Sequence, residues 1–371
     1  MKIATQASQK SLLVEQTNRI MATNVSIHLA VSPDEEAPAR AGVEAGMAWL
    51  REVDKRLTRF QEDSELCRLN RAAGRWQPVS PLLFTAMQAA LEAAAASNGW
   101  FDPTLLAQLE TLGYDRDFSQ VAHTPAEDSA DSELPTAPGG KWRGIQLDAQ
   151  RKRILLPAGT RLDLGGLAKG WAADVALRGC LRAFANVIVN VGGDLRLRGE
   201  RGPGDPWAVG IRDPQYDHLP DPSPNIAVIS FHQGGLATSG ATSRWWYHGG
   251  QRQHHLLDPR TGRPVHLWMQ PDQQAADTAK DAGQLIATAT ALAPTAARAE
   301  VAAKVALLRG YPDALSAVEA AWEQRSERAI QLLPADRDVA LLLVMGNGEV
   351  LMSRNMEAYL DTCGGGGMVW V

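Results

Sequence analysis

A glycine-rich turn near the middle of the chain constrains the fold more than any other segment. It reads Asp163-Leu-Gly-Gly-Leu-Ala-Lys-Gly170, and it follows short extended stretches at 153–157 and 160–163. After it, residues 168–185 carry apolar side chains at helical spacing. Glycines let a ligand approach the backbone closely, the first free amides of a helix attract anions, and Lys169 adds a positive charge. The pattern therefore predicts a phosphate ester such as a nucleotide as the ligand, although a glycine pair before a helix is also typical of a tight connection alone.

Three more clusters of glycine and polar residues follow this turn. Residues 187–195 read Val-Ile-Val-Asn-Val-Gly-Gly-Asp-Leu, which predicts a buried strand that ends in an Asn and a Gly-Gly-Asp turn. Residues 237–244 read Ala-Thr-Ser-Gly-Ala-Thr-Ser-Arg. Residues 254–264 read His-His-Leu-Leu-Asp-Pro-Arg-Thr-Gly-Arg-Pro. Together with the turn, these segments resemble the motifs DLGGIAKG, NVGGD, ATSG and HIIDPRTG of the ApbE family, the FAD:protein FMN transferases, and they occur in the same order.

The resemblance extends over most of the chain. Met21-Ala-Thr resembles the MGT that precedes the family's first strand, and residues 58–70 are similar to its STYRxDSELSRLN segment. Residues 99–104 match the GAFDPT element, and residues 294–304 fall where the family has a metal-binding helix. The resemblance implies an α+β, T-fold-related architecture of two closely packed lobes, with largely antiparallel sheets and a flavin in the cleft between them.

The domain organisation follows from the same resemblance. Residues 1–20 are predicted to be an N-terminal lead-in, and 21–371 a single ApbE-like domain with exposed insertions at about 123–141 and 266–284. Periodicity alone supports only alternating helices and strands. The predicted helices are 37–57, 80–99, 168–185 and 312–330, and the clearest strands are 25–31, 187–195, 284–290 and 339–345.

The composition is typical of a globular enzyme and not of a nucleic-acid-binding or membrane protein. Of the 371 residues, 45% are hydrophobic, and the net charge of -5 comes without any basic run. No apolar run approaches the ~20 residues that a membrane span needs, and residues 1–20 lack the apolar core of a secretory signal. Cys67, Cys180 and Cys363 have no paired spacing, and the first two lie in helical patterns, which predicts buried thiols. These observations predict a cytoplasmic protein.

The resemblance also implies a group-transfer reaction. Members of the family move FMN from FAD onto a Thr or Ser hydroxyl of a partner flavoprotein and release AMP, with a divalent metal such as Mg²⁺ neutralising the phosphates. His255 aligns with the histidine of HIIDPRTG, and it is predicted to be the base that takes the hydroxyl proton. His254 should point elsewhere if this stretch is extended. Without the motif, a histidine held by Asp258 would be the ordinary interpretation.

The contacts with FAD are implied by the same motifs. Asp163 and Lys169 are expected to hold ligand groups, although an acid here is also typical of a helix cap and a lysine of a solvated side chain. Phe60 takes the position of the family's flavin-side tyrosine, keeping the ring and losing the hydroxyl; an ordinary core aromatic is the alternative. Asn190 and Asp194 are predicted to be structural turn residues. The other predicted cofactor-binding residues are Met21, Trp100, Phe101, Asp102 (as a contact of the adenine or ribose), Thr238, Ser239 and Lys304.

The resemblance breaks at the predicted metal-binding helix. Relatives carry Asp and, four residues later, Thr; these lie on one helix face and both offer oxygen donors suited to Mg²⁺. The aligned residues here are Glu300 and Lys304. Glu300 and the backbone carbonyls of Gly166 and Ala168 remain as metal ligands, whereas the ammonium of Lys304 would repel a metal ion.

Lys304 has two interpretations. In the first, its ammonium replaces part of the metal's charge and contacts a phosphate, with Glu300 anchoring it. In the second, the two residues form an exposed i,i+4 ion pair worth ~0.3–0.5 kcal/mol, and metal-assisted catalysis is lost. The competing functions are a homologue that binds or hydrolyses FAD without efficient transfer and a non-catalytic flavin carrier or scaffold of a redox assembly. Metal dependence stays open on the sequence alone.

Overall fold

The computed structural model describes residues 11–121, 137–217, 224–269, 282–323 and 338–360. An eight-stranded antiparallel sheet is the centre of the fold. The strands in chain order are β1 (Leu12–Ile20), β2 (Thr23–Val31), β3 (Trp76–Pro78), β4 (Gln146–Asp148), β5 (Arg153–Leu155), β6 (Asn186–Val191), β7 (Asp194–Arg198), β8 (Glu200–Gly202), β9 (Asp205–Arg212), β10 (Asn225–Phe231), β11 (Gln233–Gly240), β12 (Trp245–His248), β13 (Gln251–His254), β14 (Leu257–Asp258), β15 (Arg263–Pro264), β16 (Ile286–Ala293), β17 (Ala340–Met345) and β18 (Val350–Met352). The large sheet has the order β1-β2-β6-β7-β11-β16-β17-β18.

Seven α-helices accompany the strands. They are α1 (Glu36–Leu57), α2 (Glu65–Arg71), α3 (Pro81–Ala96), α4 (Leu106–Thr111), α5 (Ala168–Arg178), α6 (Ala296–Arg309) and α7 (Asp313–Glu323) within the described residues. Local sequence explains the start of α3, because the Ser80 hydroxyl accepts the Leu83 amide at 3.2 Å and Pro81 occupies the first turn. The remaining sheets are small, with two or three strands each.

The two faces of the large sheet are covered by different layers. On β17, Leu341 and Leu343 belong to the core that contains α1, α5 and α6, whereas Leu342 and Val344 belong to a second core with β9 and β10. This alternation is the period of two that a strand buried on both faces shows. The architecture is α+β with antiparallel pairing throughout the described sheets, as the resemblance implied.

Several sequence predictions need correction. Residues 12–20, predicted to lie in a lead-in, form the edge strand β1. The helix predicted for 168–185 ends at Arg178, and Cys180 beyond it is exposed, while Cys67 is half-buried. Leu267 and Trp268, at the start of the predicted insertion 266–284, are buried. Most of both predicted insertions lies outside the described residues, as do Cys363 and the end of the predicted helix 312–330.

In the part of the chain that the structure describes, no helix has the length and apolar character to cross a bilayer. The cytoplasmic location stays a prediction.

Candidate active site

The candidate site forms at one end of the large sheet, where two hairpin turns lie side by side. Met21 and Ala22, with φ of 54° and 56°, connect β1 to β2 in the manner of a type I′ turn, which needs positive φ at both central residues. Gly192 and Gly193 connect β6 to β7 in the same way, and the Gly192 amide donates to the Asn24 carbonyl at 2.9 Å. Met21 therefore lies at a hairpin tip and not ahead of the first strand.

Lys169 belongs to a buried cluster of charges at the start of α5. Its ammonium pairs with Asp194, the first residue of β7, and lies 3.8 Å from Oε1 of Glu300 on α6. Burial opposes the charged form, but the two carboxylates outweigh it and raise the pKa of Lys169. Lys169 is thus paired within the protein, and Asp194, predicted only as a turn residue, holds it.

Glu300 ties α6 to the glycine-rich turn. Its side chain is buried, and Oε2 accepts a hydrogen bond from the Gly170 amide at 2.9 Å. Burial and, after it, the charge of Asp194 raise the pKa of Glu300 to about 8. The sequence predicted that the first amides of α5 would be free to bind an anion. That prediction is wrong for Gly170, because the Glu300 carboxyl group already occupies its amide.

Lys304 lies one helical turn after Glu300 and reaches the same turn. A methyl group built on Gly166 would overlap Lys304 Nζ, and this atom is 5.8 Å from the centroid of the Phe101 ring. Burial lowers the pKa of Lys304, while the negative charges of Glu300 and Asp163 act in the opposite direction. The ammonium therefore lies against the backbone of the glycine-rich turn.

Asp163 is held by Arg59, a residue that the motifs did not single out. Arg59 Nε lies 2.7 Å from Oδ2 of Asp163, and Oδ1 accepts the Gly165 amide at 2.6 Å. The Arg59 guanidinium stacks over the rings of Phe60 and Tyr114, 4.3 Å from each centroid. Asp163 thus shapes the glycine-rich turn itself and does not cap α5, whose N-cap is a leucine without a side-chain hydrogen bond.

Phe60 presents its ring to solvent beside this ion pair. The residue is 39% exposed, and its ring packs on Tyr114 with the centroids 5.8 Å apart. Tyr114 is supported from behind by Trp246, at 5.0 Å between centroids. An ordinary core aromatic would be buried, so the exposure favours the stacking role. The contact with flavin itself stays a prediction.

The two adjacent histidines lie in different environments. His254 is buried; its Nε2 is 2.9 Å from the Val265 carbonyl oxygen, and its Nδ1 accepts the Leu256 amide at 3.2 Å. Burial lowers the pKa of His254 to about 4. His254 therefore holds the local backbone together and faces away from the charged cluster, as the alternation predicted.

His255 lies near the charged cluster. Burial lowers its pKa well below 6.5, and the positive charges of Lys304 and Arg244 act in the same direction. Its Nδ1 is buried and has no hydrogen-bond partner among the described residues, which is uncommon for a buried polar atom. Asp258, the alternative partner, pairs with Arg260 at 2.7 Å. The lowered pKa favours the neutral form of the His255 imidazole, and its ring nitrogen without a partner is available to a ligand.

The predicted contacts from residues 100–102 receive mixed support. Trp100 is half-buried beneath Arg260, whose guanidinium lies 4.3 Å from the ring centroid. The carboxylate of Asp102 is buried, and it accepts hydrogen bonds from the amides of Thr104, at 2.8 Å, and Gly140. Because both oxygens already bind backbone amides, the geometry gives no support to a contact between Asp102 and the adenine or ribose.

The remaining predicted residues lie on the surrounding strands and turn. Thr238 and Ser239 are half-buried near the end of β11, and Thr238 Oγ1 is 2.8 Å from Thr290 Oγ1 on β16. Met21 donates its amide to Oδ2 of Asp54 at 3.1 Å. Ala168 is the first residue of α5. Flavin binding by these residues stays a prediction.

Three functional candidates emerge only from the structure: Arg59, Tyr114 and Arg244. Arg59 and Tyr114 position Asp163 and Phe60, and Arg244 contributes positive charge near His255. The only sequence signal for Arg59 was its place beside Phe60.

Taken together, the molecule combines an antiparallel α+β fold with a cluster of charges near a histidine, an arrangement able to hold an anionic ligand. The model of the ApbE family matches residues 21–326 of the chain. The chain belongs to the ApbE family.

Named relatives agree with this assignment. The FAD:protein FMN transferase of Treponema pallidum is 32% identical over 247 residues, which cover 62% of this chain and 65% of that protein. The FAD:protein FMN transferase of Rhodobacter capsulatus is 33% identical over 200 residues, covering 52% of this chain and 35% of that protein. The chain thus spans less than two thirds of the length of both relatives.

Solved structures show the same fold. The ApbE protein of Thermotoga maritima has a TM-score of 0.71 at 22% identity, covering 94% of this chain and all of that chain. The apo form of the flavinyl transferase ApbE of Pseudomonas stutzeri has a TM-score of 0.67 at 18% identity, covering 95% of this chain and 99% of that chain.

Proposed function

We propose that this chain is an enzyme that transfers FMN from FAD onto a hydroxyl group of a target flavoprotein and releases AMP. Membership of the ApbE family and the names of its relatives support this function. The observation that carries it is the environment of His255, whose buried Nδ1 has no hydrogen-bond partner among the described residues and lies under the influence of the cations Lys304 and Arg244. A base beside positive charge is the combination that phosphoryl transfer to a hydroxyl needs.

The substrates and His255 account for every bond and proton of the proposed reaction. The hydroxyl oxygen of an acceptor Thr or Ser attacks the phosphorus on the FMN side of the FAD pyrophosphate. A phosphorus–oxygen bond to the acceptor forms, the bond from that phosphorus to AMP breaks, and AMP leaves with the bonding electron pair. His255 accepts the proton of the hydroxyl group. Because positive charge nearby disfavours the protonated imidazole, His255 then passes the proton to phosphate or water.

The other residues of the site position the two substrates. Phe60 offers an exposed ring for stacking, and Arg59 fixes that ring together with Asp163. Gly166 lets the ammonium of Lys304 lie against the backbone of the glycine-rich turn, where it can meet the pyrophosphate. Fixed positioning of this kind lowers the entropic cost of bringing phosphorus and oxygen together.

The Mg²⁺ implied by the family does not fit this set of donors. The position facing Gly166 is filled by the ammonium of Lys304, and the Glu300 carboxyl group is committed to the Gly170 amide. Among the described residues, no group of three or more His, Cys, Asp or Glu side chains is placed to share a metal ion. We therefore infer that Gly166 and Glu300 do not act as metal ligands here, while a metal contact of the Ala168 carbonyl stays a prediction.

Three synthetic peptides test the proposed transfer. They differ at one acceptor position, which is Thr or Ser in the test peptides and Ala in the control. The Thr or Ser peptide should gain the mass of FMN less water, with one AMP released per modified peptide, while the Ala peptide stays unchanged. AMP release without a modified peptide would identify a FAD-hydrolysing homologue, and tight FAD binding without AMP release would identify a flavin carrier.

A further inference from the structure

We propose that the ammonium of Lys304 itself binds the pyrophosphate of FAD and so does the work of a divalent metal ion in this site. The inference rests on the proposed use of FAD, but it concerns a separate property, the source of the positive charge. It starts from the observation that the donor groups of this site do not suit a metal ion.

The position of Lys304 is set by a rigid element. Helix α6 is buried along most of its length, and its first turn is fixed by Asp174, which accepts the amides of Ala296 and Ala297 at 3.0 Å each. From this helix the Lys304 side chain extends to Gly166, where an added methyl group would overlap Nζ. Glycine at this position therefore leaves the space that the ammonium fills.

Lys304 has carboxylates in its surroundings but no direct partner for its charge. Two other cations of the site are directly paired, Lys169 with Asp194 and Arg59 with Asp163. Within the described ranges, Nζ of Lys304 forms no direct ion pair or hydrogen bond, and the residue is half-buried. A half-buried ammonium without a direct partner is less favourable than a paired one, and a negatively charged ligand removes that penalty. The site thus favours an anion next to Gly166.

The simpler interpretation, an exposed i,i+4 ion pair with Glu300, does not hold. Glu300 is only 3% exposed, and its oxygens face the Gly170 amide and the Lys169 ammonium. Lys304 therefore points past Glu300 to the glycine-rich turn. A divalent cation placed there would be repelled by the ammonium.

FAD binding to the full-length protein in EDTA tests this inference, with riboflavin as the probe that lacks phosphate. Wild type should bind FAD equally well in EDTA and in Mg²⁺. Lys304→Ala should weaken FAD binding roughly ten- to hundredfold, the range of one charge-assisted hydrogen bond, and leave riboflavin binding unchanged. Lys55→Ala, which removes an exposed lysine of α1, is the control for net charge and should change neither.

Two further variants separate position from charge. Gly166→Ala keeps the ammonium but displaces it, so it should weaken FAD binding like Lys304→Ala, and the double variant should be no weaker than either single one. Glu300→Asp combined with Lys304→Thr installs the family's oxygen donors and should make FAD binding depend on Mg²⁺. Thermal unfolding without ligand should show that Lys304→Ala stays folded, because no direct partner of Lys304 is lost.

The outcomes distinguish this inference from the proposed function. Loss of wild-type FAD binding in EDTA, or unchanged FAD affinity in Lys304→Ala, would overturn the role of Lys304 and leave the transferase proposal standing. Metal-independent, Lys304-dependent FAD binding without transfer to any peptide would support the role of Lys304 and contradict the transferase proposal. A wild-type protein that binds no FAD in either buffer would contradict both.

Discussion

At the scale of single residues, the adjacent histidines show how backbone alternation separates a structural role from a chemical one. His254 has both ring nitrogens occupied by backbone groups, whereas Nδ1 of His255 has no partner among the described residues. The same residue type therefore serves packing at one position and is available for proton transfer at the next. Each role leads to a separate prediction.

His255→Ala should lower the rate of FMN transfer by about 10²–10⁴-fold and leave the affinity for FAD nearly unchanged. A base acts on the acceptor hydroxyl in the transition state and contributes little to binding in the ground state. The measurements are single-turnover transfer to the Thr peptide and FAD titration. His254→Ala is the matched control; its folded fraction should transfer FMN at close to the wild-type rate. Equal losses in the two variants would contradict the assignment of the base.

His254 should make the protein less stable in acid. Because burial holds its pKa at about 4, protonation favours the unfolded chain, where the ordinary pKa is about 6.5. Its contribution to stability is complete above pH 6.5 and is lost as the pH falls towards 4, by about 2–3 kcal/mol between pH 7 and 4.5. Denaturant unfolding at both pH values should show a smaller decline for His254→Gln than for wild type. If both proteins lose the same stability between these pH values, the protonation of His254 does not cause the loss.

At the scale of elements, α5 and α6 support the site as a pair. Asp174 on α5 accepts the first amides of α6, and Arg196 Nε of β7 lies 3.3 Å from its Oδ1. Gly170 lets the helices approach closely, since a methyl group there would lie 2.5 Å from the Ala296 carbonyl oxygen. Lys169 and Lys304 thus owe their relative position to this junction.

Asp174→Ala should destabilise the protein by about 2–4 kcal/mol, because two helix amides and a half-buried arginine lose their partner. Chemical denaturation measures the loss directly. Asp115→Ala, at an exposed carboxylate that pairs with Arg116, should cost less than about 0.5 kcal/mol. A similar loss of stability in both variants would mean that Asp174 does not stabilise the junction between α5 and α6.

The long helices and several core strands were predictable from the sequence, whereas most short strands and the partners of the site residues were not. Periodicity indicated a helix at 37–57, and the structure has Glu36–Leu57, because an amphipathic pattern is a local property. The motifs brought Asp163, Lys169 and His255 to attention. The pairing of Arg59 with Asp163 and of Lys169 with Asp194 joins distant segments, and residue spacing carries no information about such contacts. The resemblance to a family indicated the candidate site residues. Only the structure showed that the Glu300 carboxyl group accepts a hydrogen bond from the Gly170 amide.

At the scale of the whole molecule, the candidate site draws on segments from both hairpin turns, the glycine-rich turn, α6 and the strand end before His255. A site assembled from so much of the chain suits a ligand larger than one phosphate. The protein should therefore bind FAD more tightly than FMN, because the adenylate half adds contacts that FMN lacks. Titration with both flavins under the same conditions measures the difference. Equal affinities would count strongly against the transferase proposal.

The most direct test of the central claim is a crystal structure of the complex with FAD, grown without divalent metal. We expect a pyrophosphate oxygen within ~3.2 Å of Lys304 Nζ, the His255 ring facing the phosphorus on the FMN side, and the Phe60 ring against the flavin. FAD bound away from the glycine-rich turn, or Lys304 directed into solvent in the complex, would contradict the account.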